Sequence, residues 1–101
     1  MNVQIQTVHF NADQKLIDHV NAKIAKLSTF HDKIIGAEVY LKLDNMSHQV
    51  RDKVAEIKVY VPKHSYFVKH QSKTFEESFD LAFNSLVNQV KRKKEKSQTI
   101  H

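Results

Sequence analysis

The chain has 101 residues, is 41% apolar with six Phe and three Tyr, and carries 16 Lys and Arg against 11 Asp and Glu. This is enough chain for one compact domain but not two, and enough apolar content for it to fold. The absence of Cys excludes disulfides, thiolate nucleophiles and Cys-based zinc sites, and one Gly and one Pro leave little material for glycine-rich phosphate loops or long flexible linkers.

Residues 2–8 alternate, Val3 and Ile5 on one side and Gln4 and Gln6 on the other, the period of a half-buried strand. They offer no basic stretch followed by an apolar run, so neither a signal peptide nor a membrane span is expected, and a cytoplasmic location is the expectation. Asn11 or Asp13 can cap a helix reaching about Phe30. In it Leu16, Ile17, Val20, Ile24 and Leu27 form a stripe, while Lys15, His19, Lys23 and Lys26 project from the other side. Gly36 reopens alternation, with Ala37, Val39, Leu41 and Leu43 inward and Glu38, Tyr40 and Lys42 outward. Residues 44–52 are polar and turn-rich and read as a loop. Alternation resumes with Ala55, Ile57, Val59 and Val61, and Pro62 ends that strand. A short connection through Lys63 and His64 leads into a fourth strand carrying Tyr66 and Val68 inward, so these two strands form an antiparallel hairpin. Thr74 caps a second helix with Glu76 and Glu77 in its first turn. Phe75, Phe79, Ala82, Phe83, Leu86 and Val90 make its buried stripe, and the helix is expected to end near Lys96.

The order β-α-β-β-β-α predicts an α+β two-layer sandwich, a four-stranded sheet with two helices on one face. Residues 1–96 form the single expected domain, and residues 97–101 a disordered tail. The excess charge is local: residues 89–101 hold Lys91, Arg92, Lys93, Lys94 and Lys96 against Glu95 alone, leaving 11 cations and 10 acids elsewhere. A rigid element with such a basic end attracts polyanions, nucleic acid or an anionic membrane surface.

Two strings carry a family resemblance. Ala22-Lys23-Ile24-Ala25-Lys26-Leu27 places a basic pair three residues apart inside an apolar helix, and residues 74–96 combine Asp80, an apolar stripe, Gln89-Val90 and a basic end. Together they resemble the bacterial ribosome-associated inhibitor and hibernation-promoting factor family, across nearly the whole chain. The resemblance implies a short form without the extra dimerisation domain, monomeric when free, that binds small-subunit ribosomal RNA in the decoding region and occludes messenger and transfer RNA. Lys23, Lys26, Arg92, Lys93 and Lys94 match basic positions of the family pattern. The sequence departs from it where Thr74-Phe75-Glu76 stands for an Asp-apolar-Tyr start, and where Ser85 and Asn88 stand for a mid-helix Lys and Arg.

The expected RNA-binding residues are therefore Lys15, Lys23, Lys26, Lys91, Arg92, Lys93, Lys94 and Lys96. Lys23 and Lys26 lie about one helical turn apart, a spacing that can follow a phosphate backbone. Five such contacts predict a loss of affinity of roughly several hundredfold between about 50 and 200 mM salt. The same lysines also serve simply to solvate a helix face or to complement a helix C-terminus. Tyr40, Tyr60 and Phe67, on the outer sheet face, suit either base stacking or cross-strand packing. The seven His include no i,i+4 pair and no HExxH, and there is no GxSxG, GxxxxGK or paired-carboxylate motif, so no metal, cofactor, small-molecule substrate or catalytic residue is expected. A general double-stranded RNA-binding module and a protein-interaction adaptor or transcription modulator are the alternatives.

Overall fold

The computed structural model describes residues 1–43 and 53–99, with side chains described up to residue 92. Alternating residues produce β1 (Asn2–Val8), β2 (Gly36–Leu43), β3 (Lys53–Val61) and β4 (His64–Ser72), and the two stripes produce α1 (Gln14–Ala25) and α2 (Phe75–Thr99). The loop expected at residues 44–52 lies outside the described residues. The sheet runs β1-β2-β3-β4, with β1 and β2 parallel and the other pairs antiparallel. Parallel pairing of β1 and β2 follows from the helix between them, since a crossover returns the chain in the same direction. At Gly36 the β1 backbone approaches so closely that a Cβ would stand 3.0 Å from the Asn2 carbonyl oxygen, which suits glycine there.

The inner sheet face supplies Ala37, Val39, Leu41, Ala55, Ile57, Val59, Tyr66 and Val68 to a single core, closed by Leu16, Val20, Ile24 and Leu27 from the first helical segment and by Phe79, Ala82, Phe83, Leu86 and Val90 from α2. Removing these side chains from water, at roughly 1.5–3 kcal/mol for each large one, drives the layer contact. Ser78, fully buried in α2, donates through its hydroxyl to the carbonyls of Thr74 and Lys53, tying the helix start to β3. His9 has φ 69°, a left-handed turn that brings the chain from β1 toward α1, and the next ring, Phe10, stacks on Phe75 with centroids 4.1 Å apart.

Asp13 is the cap of α1, accepting from the Leu16 amide at 2.8 Å, and the Thr74 hydroxyl accepts from the Glu77 amide at 3.1 Å. Two boundaries differ from the sequence reading. The first helix does not continue to Phe30 as α-helix: after Ala25 the chain tightens into a 3-10 turn over Lys26–Thr29. There the hydroxyls of Ser28 and Thr29 donate back to the carbonyls of Ala25 and Lys26, a local bond that competes with the α-helical ladder. The second helix passes the expected end at Lys96 and continues through Thr99.

Candidate nucleic-acid interface

Strand directions fix the helix layer. β4 runs parallel to β2, because each is antiparallel to β3, and both helices return against those strands. α1 and α2 therefore run parallel, side by side, with their C-terminal ends at the same end of the molecule. Contacts follow that alignment: His19 and Lys23 of α1 meet Asp80 and Phe83 of α2, and further along, Phe30 meets Lys91.

The Nε2–H of His19 donates to Asp80 Oδ1 at 2.7 Å, and Lys23 Nζ lies 3.9 Å from the same oxygen and 5.7 Å from the centre of the Phe83 ring. His19 also sets its ring edge against Phe79. Both side chains are about one-third exposed. They are thus not on the solvent side of α1, as the sequence reading had it, but on its flank, because the part of α1 that misses the sheet abuts the second helix. Lys91 Nζ lies 5.1 Å from the centre of the Phe30 ring, just beyond the 3-10 turn that begins at Lys26. Such a cation over a ring contributes about 0.5–1 kcal/mol at an exposed site.

Of the eight cations singled out in the sequence, Lys23 lies beside Asp80 and Phe83 of α2, Lys91 lies over Phe30 eight residues or about 12 Å further along α2, and Lys26 opens the 3-10 turn, Lys26 and Lys91 being exposed. Lys15 is exposed in the first turn of α1, eight residues or about 12 Å along the axis from Lys23. Position 92 is two turns beyond Ser85, whose hydroxyl meets His70 Nε2 of β4 at 2.8 Å; Arg92 therefore starts from the β4 flank of α2, away from α1. Lys93, Lys94 and Lys96 continue the α2 backbone, and their side chains lie outside the described residues. Asp80 entered the sequence reading only as a motif position. Its pairing with His19 is invisible until α1 and α2 are known to be neighbours, since 61 residues separate them.

The outer sheet face is internally paired. Glu38 accepts from the Tyr40 hydroxyl at 2.6 Å and from Tyr60 at 3.1 Å, Lys42 pairs with Glu56 at 3.0 Å, and Lys58 lies over the Tyr60 ring. The Tyr40 bond holds the Glu38 carboxyl below its ordinary range, and the same bond raises the Tyr40 hydroxyl. Lys42 also lies over the Tyr40 ring, so Tyr40 is held by neighbours on its own strand, β2, whereas Tyr60 reaches across from β3 to Glu38; Phe67, 52% exposed, is the outer-face aromatic left open to stacking. Among the described residues no cluster of His, Cys, Asp and Glu is arranged to hold a metal, and no helix is long and apolar enough to cross a membrane.

The sequence profile of the family described as Sigma 54 modulation protein / S30EA ribosomal protein matches residues 3–98. The chain belongs to this family. A family relative from Pseudomonas putida, a ribosome hibernation promoting factor, is 26% identical over 100 residues, covering 99% of this chain and 93% of its own. The N-terminal domain of Protein Y from Thermus thermophilus superposes with a TM-score of 0.77 at 27% identity, over 91% of this chain and 98% of that one. A ribosomal subunit interface protein from Coxiella burnetii shares the fold, with a TM-score of 0.83 at 16% identity over 94% of this chain and 99% of its own.

Proposed function

We propose that this protein is a non-enzymatic, cytoplasmic ribosome hibernation factor, monomeric when free, whose helix layer docks on small-subunit ribosomal RNA in the decoding region. Occupancy there excludes messenger and transfer RNA by bulk alone, so inhibition needs no catalytic group. The observation that carries this reading is the parallel helix pair, which lines up Lys23 and Lys91, from distant parts of the sequence, along the contact between the helices, with Lys26 at the turn that ends α1. Cations held on a rigid scaffold meet phosphate oxygens without first losing much conformational freedom, and they recognise a fixed RNA shape more than a base sequence. Family membership supports the choice of the ribosome among RNA targets.

Sedimentation through a sucrose gradient with purified subunits tests this. The protein is expected to travel with small subunits at low salt, to be released as salt rises, and to resist competition by an unrelated RNA duplex. Remaining at the top of the gradient overturns the proposal. Release by equal amounts of unrelated duplex points instead to a general double-stranded RNA-binding module, and a protein complex that survives nuclease points to an adaptor.

A further inference from the structure

An acid, Asp80, stands where α1 and α2 meet, beside Lys23. Asp80 projects from α2 toward α1, its side chain 39% exposed, with His19 Nε2 at 2.7 Å and Lys23 Nζ at 3.9 Å. The bond to His19 is short, whereas the approach of Lys23 is looser than the 3.0 Å pair of Lys42 with Glu56 on the sheet. The carboxylate is therefore anchored by the imidazole and offsets the Lys23 charge without locking that lysine in place.

Resting on the RNA-binding reading above, we infer that Asp80 is a specificity-determining residue, an internal anion that suppresses binding of the helix layer to RNA at large. Non-specific affinity for a polyanion follows the number of cations that displace counterions. A phosphate approaching Lys23 meets the Asp80 charge beside it, so an arbitrary duplex gains little there. An RNA surface that delivers phosphates to Lys26 and Lys91, and reaches Lys23 from the side away from Asp80, loses little. Discrimination is a difference of affinities, and weakening the wrong complex serves it as well as strengthening the right one. Asp80 touches no RNA phosphate in this account; it acts through Lys23.

The test uses the full chain, an unrelated RNA duplex followed by fluorescence anisotropy, and purified small subunits followed by sedimentation. Asp80→Asn keeps an oxygen for His19 and removes the charge. It is expected to tighten duplex binding by about three- to tenfold and to steepen the slope of log affinity against log salt by roughly 0.7–0.9, one added contact. Small-subunit binding should change less, so the ratio between the two falls. In a Lys23→Gln background the gain should vanish. His19→Gln, which loosens the link between the helices but leaves the carboxylate, should give no gain. Unchanged or weaker duplex binding by Asp80→Asn overturns the inference, as does an equal gain in the Lys23→Gln background or a gain from His19→Gln. Failure of the wild-type chain to sediment with small subunits is read independently of the variants and overturns the proposed function itself.

Discussion

Glu38 makes the acid side of the stability curve predictable. Its carboxyl is held below the usual 4.5 first by the Tyr40 hydroxyl; desolvation pushes the other way but is outweighed once the Tyr60 bond and the Lys58 charge are added. A depressed carboxyl contributes stability that is present above its unfolded value and disappears as pH falls through the folded one. Tyr40 works in the opposite direction: raised above 10.0 chiefly by its bond to Glu38, it contributes below that value and loses the contribution as pH rises through the raised one. Glu38→Gln is therefore expected to flatten the loss of stability below 4.5, measured as urea midpoints against pH; a curve parallel to wild type would contradict it. Backbone strain gives a second prediction. Lys63 has φ 64° in the β3–β4 turn, where glycine is at ease. Lys63→Gly should raise stability by about 1 kcal/mol in chemical denaturation, the relief of about 1–3 kcal/mol of strain being partly offset by about 0.4–1 kcal/mol of added freedom in the unfolded chain. Alternation alone places Glu38, Tyr40 and Tyr60 on the outer face. The Tyr60–Glu38 bond is not readable that way, because it is a diagonal contact set by the register Glu38↔Lys58 and Gly36↔Tyr60.

Both helices owe their starts to side chains visible in the sequence. Asp13→Ala should lower stability by about 1 kcal/mol, since it leaves the Leu16 amide without its 2.8 Å partner. Phe79→Ala, which empties the largest fully buried side chain of the core, should lower it by about 3–5 kcal/mol. Equilibrium denaturation checks both. The stripes through Leu16, Val20 and Ile24 and through Phe79, Phe83 and Leu86 were legible because core burial imposes the helical period directly. The flank carrying His19 and Lys23 was not, since periodicity distinguishes the buried stripe from the rest of the helix but says nothing about a neighbouring helix. The end of α1 was missed for a similar reason: Leu27 keeps the apolar rhythm while Ser28 and Thr29 redirect the backbone.

At the scale of the whole molecule, the element order was enough to give the two-layer sandwich, and the direction of the strands then dictates that α1 and α2 run parallel. That single topological fact lines Lys91 up beyond Lys23 along the contact between the helices, with Lys26 at the turn that ends α1. It also divides the eight cations: Lys15 stays at the other end of α1, and Arg92 starts from the β4 flank. A contiguous run in the sequence, Lys91-Arg92-Lys93-Lys94, cannot show this, because consecutive helical residues point about 100° apart. The most direct test compares two charge reversals in small-subunit binding at low salt. Lys23→Glu, Lys26→Glu and Lys91→Glu together should abolish sedimentation with the subunit, whereas Lys63→Glu and Lys69→Glu, in the hairpin turn and on the β4 strand, should leave it nearly intact. Equal loss from both sets, or binding that survives the first, would contradict a phosphate-facing surface built by the helix pair.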